Sequence, residues 1–189
     1  MNRRDALQRV ALLVGGTVIG AEFFLSGCKA NDKYGASLEF TEKDIAFLDE
    51  IAETIIPQTD TPGAKAAKVG EFMTVMVKDT YNEKQQQAFL EGMTKLNDAS
   101  KALFNKGFMD ITPEQRKELL TGVDTEAKKY KEEKKKDDPP HYFALMKQLT
   151  LLGYFTSEVG ATQALNYVAI PGRFDPCIPY NEGDKAYAL

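Results

Sequence analysis

The sequence predicts an all-α fold: a single compact multi-helix domain that ends in an irregular, proline-rich C-terminal tail. Apolar residues recur three and four positions apart over most of the chain after residue 40, which is the period of an amphipathic helix. Helix-start signals precede these stretches, and no segment shows the strict apolar–polar alternation of a half-buried strand. This part of the chain is long enough for one domain with a sizeable core.

The first predicted helix begins after Thr41. Threonine is a favoured N-cap, and Asp44 stands three positions on, where an acidic side chain can complete a capping box. The apolar positions that follow have helical spacing: Ile45, Leu48, Ile51, Ala52, Ile55 and Ile56. Pro57 ends the helix, and Pro62 with Gly63 predicts a type II turn in the connector that follows.

A second helix is predicted from about Lys65, with an apolar stripe of Val69, Phe72, Met73, Met76 and Val77. Asn82 with Gln85 predicts the start of a third helix. A fourth is predicted after Thr112, because a capping threonine is followed by proline at the first helical position and glutamine at the third. The methionines on the predicted apolar stripes are expected to pack in the core: Met73, Met76, Met93 and Met146.

The far end of the fourth helix is rich in lysine but neutral overall. From Asp124 to Asp138 the chain carries six lysines and six acids, which is typical of a solvated helix end. Pro139 and Pro140 interrupt the helix, and a final apolar helix is predicted from about His141.

The N-terminus has the layout of an export signal, with a short basic start and an apolar run over residues 10–25. Arg3 and Arg4, with Leu7 behind them, resemble the twin-arginine motif, whose machinery exports folded proteins. An ordinary basic start for the general export route is the alternative. Because Glu22 interrupts the apolar run, a cleaved signal is favoured over a membrane-spanning helix.

Residues 25–28 read Leu-Ser-Gly-Cys and resemble the bacterial lipobox, in which Cys28 receives lipid and becomes the new N-terminus. The expected organisation is therefore an export signal over 1–27, a linker over 28–39 and the helical domain over 40–189. Lipidation of Cys28 would leave Cys177 as the sole thiol, so no intramolecular disulfide is expected. Residues 1–28 hold three arginines and two acids, so their removal changes the net charge from −4 to −5. An acidic domain argues against nucleic-acid binding, which depends on cationic contacts to phosphate.

The sequence offers little chemistry for catalysis. One histidine, His141, and Cys177 are the candidates for a nucleophile pair, with no orienting group apparent. Haem-attachment, zinc, nucleotide and metalloprotease motifs are absent. Asp49 and Glu53 lie one helical turn apart and are expected to be solvated. No catalytic, cofactor-binding or metal-binding residue is therefore expected in this chain.

The C-terminal segment is the candidate for partner docking. It contains Tyr154, Phe155, Arg173, Phe174 and Tyr180, and aromatic residues and arginine are enriched where binding energy concentrates at interfaces. Prolines stiffen its path at low entropic cost. A tail that folds back over its own core is the alternative, and both can hold together.

Two stretches resemble the gluconate 2-dehydrogenase subunit 3 family, the small subunit of membrane-associated flavin dehydrogenases. They are AETIIPQTDTPGAKAAKV, at the end of the first helix, and LTLLGYFTSEVGATQALNYVAIPGRFDPCIPY, near the C-terminus. The resemblance extends over roughly residues 40–180, and its C-terminal block is the more specific part.

The resemblance implies a three-part enzyme. A large FAD-dependent flavoprotein of the glucose-methanol-choline type oxidises a sugar, polyol or aldonate, a cytochrome c subunit with haem c takes the electrons, and the small subunit carries no cofactor. The small subunit is expected to aid maturation and export of the flavoprotein, and Cys28 would tether it to a membrane of the cell envelope. The alternatives are a free-standing envelope lipoprotein that binds a small molecule or protein, and an enzyme that uses Cys177 or His141.

Overall fold

The computed structural model of the chain describes residues 38–170, 172–173 and 177–188. Helices dominate this part, as predicted, so the all-α fold is confirmed. The α-helices are α1 (Glu42–Ile55), α2 (Val69–Thr80), α3 (Glu83–Phe104), α4 (Pro113–Glu133) and α5 (Tyr142–Thr156). A 3₁₀ turn (Phe108–Asp110) joins α3 to α4, and a π-helical turn (Gly160–Ala164) follows α5.

Three helices begin at the predicted capping residues. Thr41, Asn82 and Thr112 each accept a hydrogen bond from the backbone N–H three residues on, and each makes a full capping box. A box of this kind satisfies two backbone donors that the first helical turn leaves without a partner inside the helix. His141 caps α5 in a similar way, since its Nδ1 accepts from the Phe143 amide at 3.2 Å.

Helix α5 is the centre of the described fold, because it packs against α1, α2, α3, α4 and the π-helical turn. The inner side of α5 is apolar and buried through Phe143, Leu145, Met146, Leu149 and Tyr154. The other helices, the 3₁₀ turn and the loops contribute the rest of the core: Leu48, Ile51, Ala52, Ala64, Val69, Met73, Val77, Phe89, Leu96, Phe108, Ile111, Leu119, Leu120, Val123 and Ala127. The methionines at positions 73 and 146 pack in this core, as expected.

The contact between α3 and α5 depends on a glycine. A Cβ at Gly92 would overlap the Tyr142 side chain, so only glycine lets the two helices approach this closely. Burial raises the pKa of the Tyr142 hydroxyl to about 12.

The connector between α1 and α2 differs from the prediction. Helix α2 begins at Val69 and not near Lys65, and Lys68 at its N-cap has a left-handed backbone with φ of 54°. The predicted type II turn at Pro62–Gly63 is wrong, because Gly63 does not have the positive φ that this turn requires. A Cβ at Gly63 would overlap the Glu53 carboxylate, so a side chain there would displace this carboxylate from its present position.

The tail carries a short pair of strands that the sequence did not predict. Strand β1 (Asn166–Tyr167) pairs in parallel with β2 (Tyr187–Ala188), and Asn166 stands opposite Tyr187. The Asn181–Asp184 turn precedes β2 and is closed by the Asn181 amide, which donates to the Asp184 carboxylate at 2.8 Å. No helix in the described ranges is long and apolar enough to span a membrane.

Candidate functional site

Carboxylates on α1 hold the connector in place. Glu53 accepts hydrogen bonds from the Gln58 amide at 2.9 Å and the Lys65 amide at 2.8 Å, and Asp49 accepts from the Gly70 amide at 2.8 Å. The prediction that Asp49 and Glu53 are merely solvated is therefore wrong. Burial raises the pKa of Asp49, and the hydrogen bond from Gly70 opposes this rise.

Glu50, on the same helix, joins three parts of the fold. Its carboxylate contacts the guanidinium of Arg116 and the ammonium of Lys65. Arg116 also donates to the carbonyls of Phe108 at 3.1 Å and Met109 at 2.8 Å, at the 3₁₀ turn. The arginine thus ties α1, the 3₁₀ turn and α4 together, which is a structural role.

No local sequence signal could have revealed this network. Glu50 and Arg116 are 66 residues apart, and both look like ordinary surface charges on their own helices. Their pairing follows from the packing of α4 against α1.

His141 lies at the start of α5 and is largely buried. Its Nε2 lies 3.8 Å from a Glu126 carboxylate oxygen, and its ring packs against Tyr130 and Tyr142. Burial lowers the pKa of His141, which favours the neutral ring, and Glu126 partly offsets this. These contacts are consistent with the interpretation of His141 as a residue that starts a helix.

Cys177, the other candidate for catalysis, is an exposed free thiol. Among the described residues no group of three or more His, Cys, Asp or Glu side chains could hold a metal ion. The expected lack of a metal, a cofactor and catalytic residues in this chain stays a prediction.

The outward side of α5 is apolar as well, over its last two turns. Leu151, Leu152 and Phe155 are 42%, 43% and 41% exposed. Leu151 and Leu152 lie four and three residues before Phe155, so the three side chains share one side of the helix. We call these three residues the outer face of α5. A helix that is apolar on all sides is normally buried on all sides, so the outer face is a candidate interaction surface.

The predicted docking residues fall in different environments. Tyr154 is buried, and its hydroxyl donates to the Pro62 carbonyl of the connector at 2.7 Å. Its ring packs edge-on against Phe155, with centroids 5.2 Å apart, so Tyr154 supports the outer face from inside. Arg173 and Tyr180 are exposed in the tail.

Several predicted positions lie outside the described residues: Phe174 in the tail, and Arg3, Arg4 and Cys28 in the N-terminal region. Their roles in docking, export and lipidation stay predictions, as do the domain boundaries at 27 and 39.

The π-helical turn connects α5 to the tail. The Ser157 hydroxyl donates to the Tyr154 carbonyl and accepts from the Gly160 amide at 3.0 Å. Lys185, just before β2, donates to the Gln163 carbonyl in this turn. The tail is therefore hydrogen-bonded to the π-helical turn that follows α5. Whether it docks a partner or covers its own core stays a prediction.

These features define a small all-α domain with three partly exposed apolar side chains on one side of α5. The family model described as Gluconate 2-dehydrogenase subunit 3 matches residues 42–172, which is more than half of the chain. The chain belongs to this family. No curated protein and no solved structure is significantly similar to it.

Proposed function

We propose that this chain is a non-catalytic accessory subunit of an exported FAD-dependent dehydrogenase. The observation that carries the proposal is its membership of the gluconate 2-dehydrogenase subunit 3 family, whose name denotes one subunit of a larger oxidoreductase. The large subunit is a flavoprotein of the glucose-methanol-choline type that acts on a sugar, polyol or aldonate and holds the FAD. A cytochrome subunit with haem c is a possible third component.

The outer face of α5 is the proposed docking surface for the flavoprotein. Leu151, Leu152 and Phe155 form its apolar centre, and exposed Arg173 and Tyr180 in the tail supply polar and aromatic contacts. Full burial of a leucine or phenylalanine side chain contributes about 1.5–3 kcal/mol. Since each of the three side chains has about two-fifths of its surface left to bury, each contributes about 1 kcal/mol on docking.

Co-purification tests this function. The tagged full-length chain is isolated in mild detergent from membranes of the cells that produce it. We expect a large subunit with flavin absorbance and with dehydrogenase activity towards a sugar, polyol or aldonate. Recovery of the chain alone would contradict the proposal and favour the free-standing lipoprotein.

The docking surface is tested by affinity between the purified chain and that flavoprotein. The double variant Leu152→Ala/Phe155→Ala removes about 2 kcal/mol of apolar contact, so Kd should rise about thirtyfold. The matched control is Val75→Ala/Leu103→Ala, which truncates side chains that are exposed on α2 and α3. Equal losses in the two double variants would show that the outer face is not the interface.

Export and tethering belong to the N-terminal residues in this proposal. Arg3 and Arg4 direct the folded subunit and its bound flavoprotein to the twin-arginine route, and lipidated Cys28 holds the complex on a membrane of the cell envelope. Replacing both arginines by lysine should leave both subunits in the cytoplasm. Flavoprotein export that continues in this variant would refute the carrier role.

The same complex tests the alternative of a catalytic thiol. Cys177→Ser should leave the dehydrogenase activity of the assembled complex unchanged, because the flavoprotein carries the chemistry. Loss of activity with normal assembly would instead assign a catalytic role to the exposed Cys177 thiol.

A further inference from the structure

A second feature of the surface is a groove between α4 and α5. Its wider part has a volume of about 470 Å³, with Ala127, Pro140, Ala144 and the ring of Tyr130 among its lining residues. A narrower part of about 240 Å³ lies toward the end of α1 and is lined by Leu120 and Phe143. Asp124 and Lys147 line both parts, so the two parts adjoin at this ion pair, and we treat them together as one groove.

Lysines line this groove along its length: Lys117, Lys128, Lys131, Lys134 and Lys147. The acidic side chain among the lining residues is Asp124, which is already paired with Lys128 at 2.8 Å and Lys147 at 2.7 Å. We call this feature the lysine groove.

The groove is positive because the lysines and the glutamates near the end of α4 lie on different sides of the helix. Lys128 and Lys131 lie three positions apart on α4, and Lys134 is the residue just after its last turn; all three line the same side of the groove. Glu126, Glu132 and Glu133 are absent from the lining of the groove. A segment that is neutral by count therefore presents a positive face, on a chain whose net charge is −4.

Part of this positive charge is available to a ligand. Within the described ranges Lys117 and Lys131 form no ion pair, and the Lys134 ammonium donates only to the Asp138 carbonyl, at 3.1 Å. An anionic group seated there would meet cations that are not already neutralised by neighbouring carboxylates.

The groove is long and narrow. Lys117 and Lys134 are 17 positions apart, and at about 1.5 Å per residue the lysines cover roughly 25 Å of helix. An extended peptide rises about 3.3 Å per residue, so about eight residues would match that length. Alternate side chains of such a peptide point to opposite sides, which suits an apolar floor and a charged rim.

We propose that the lysine groove binds an extended acidic segment, about eight residues long, of a partner protein. Acidic side chains of the segment pair with the lysines, and its apolar side chains rest on Ala127, Ala144 and Tyr130. On α5 the groove residues Ala144 and Gln148 lie at helical spacing from the outer face, so one partner can occupy both surfaces. In that last respect the inference rests on the proposed function.

The test uses the purified full-length chain and a fluorescent library of eight-residue peptides in which Asp or Glu alternates with Leu or Phe. A matched library carries lysine in place of the acids. We expect binding of the acidic library alone, weakened by added salt because the lysines lie at the surface. Equal binding of both libraries, or no binding of either, would overturn the proposal.

Charge reversal locates the site. Lys131→Glu/Lys134→Glu should weaken binding of the acidic library about tenfold or more, since each reversal replaces an attraction with a repulsion. Lys84→Glu/Lys106→Glu, at exposed positions outside the groove, makes the same change in net charge and should weaken it less than about twofold. Similar losses in both variants would mean that net charge, and not the groove, binds the peptide.

Two further outcomes are distinguishable. Lysine-dependent binding to phosphatidylglycerol vesicles, without peptide binding, would assign the groove to a membrane surface and refute the peptide proposal. The peptide experiment uses this chain alone, so it can succeed even if no flavoprotein co-purifies. Co-purification of a flavoprotein without peptide binding would refute the lysine groove and leave the proposed function standing.

Discussion

Arg116 and Lys65 contact the same carboxylate, on Glu50, yet their removal should have very different effects on stability. The Arg116 side chain is 13% exposed and that of Lys65 is 55% exposed. Arg116→Met keeps the apolar stem of the side chain and removes its guanidinium. The carbonyls of Phe108 and Met109 and the carboxylate of Glu50 each lose the hydrogen bond that Arg116 donates.

The magnitude follows from these contacts. A lost hydrogen bond costs about 1 kcal/mol for each carbonyl, and the partly buried carboxylate adds at least about 1 kcal/mol, so the total is about 3 kcal/mol. The packing of the guanidinium 5.6 Å from the centre of the Phe108 ring adds to this loss. Lys65→Met breaks an exposed ion pair and should cost less than about 1 kcal/mol.

Urea unfolding of the purified chain measures the difference. With an m-value of about 2 kcal/mol/M, Arg116→Met should lower the midpoint by about 1.5 M and Lys65→Met by less than about 0.5 M. Arg116→Lys keeps the charge but loses the planar fork, so its midpoint should fall closer to that of the methionine variant. If Lys65→Met is as destabilising as Arg116→Met, then burial does not set the strength of these contacts and the reasoning fails.

Three more predictions concern α5 and its neighbours. Burial lowers the folded-state pKa of His141 below its unfolded value of about 6.5. The stability that neutral His141 contributes is therefore fully present above about pH 6.5 and is lost as the pH falls through the lowered pKa. The slope of this loss is at most about 1.4 kcal/mol per pH unit. His141→Asn keeps a capping oxygen and should flatten this acid-side slope in unfolding experiments; an unchanged slope would assign it to other groups. Tyr154→Phe removes the hydrogen bond to the connector and should cost about 1 kcal/mol in urea unfolding, and no loss would mean that water replaces the bond. Gly92→Ala should destabilise by about 1–3 kcal/mol through overlap with Tyr142, whereas Gly122→Ala, with open space around the new methyl, should stabilise α4 by about 0.5–1 kcal/mol; melting temperatures that shift in the same direction would contradict this pair.

The helix starts could be predicted from the sequence because capping is local. Thr41, Asn82 and Thr112 find their partners three residues away, so the signal is complete within one turn of chain. The run of apolar residues after His141 likewise predicted α5. Each of these features depends on neighbours in sequence.

The connector was mispredicted because its decisive partner is not local. Pro62–Gly63 has the composition of a type II turn, but the conformation is set by the Glu53 carboxylate, which accepts from the amides of Gln58 and Lys65. A carboxylate on an amphipathic helix looks the same in sequence whether it faces water or backbone amides.

The lysine groove shows a similar limit. Counting charges from Asp124 to Asp138 gives neutrality, and only the orientation of α4 against α5 reveals which charges share a face. The outer face of α5 was anticipated in part, since Phe155 was among the predicted docking residues and Leu151 and Leu152 were not. Which side of an apolar helix stays uncovered depends on the packing of all the other helices.

The central position of α5 bears on how this chain folds during synthesis. Of the five described helices, α5 is the last to leave the ribosome, so α1 to α4 emerge with only one another to pack against and without the helix that contacts them all. About 100 residues follow Ile55 before α5 is complete at Thr156, so at about 5–20 residues per second α1 is made at least several seconds before α5. During that time the exposed apolar surface of the nascent chain is a natural target for chaperones, and the domain closes only once residues 142–156 are available.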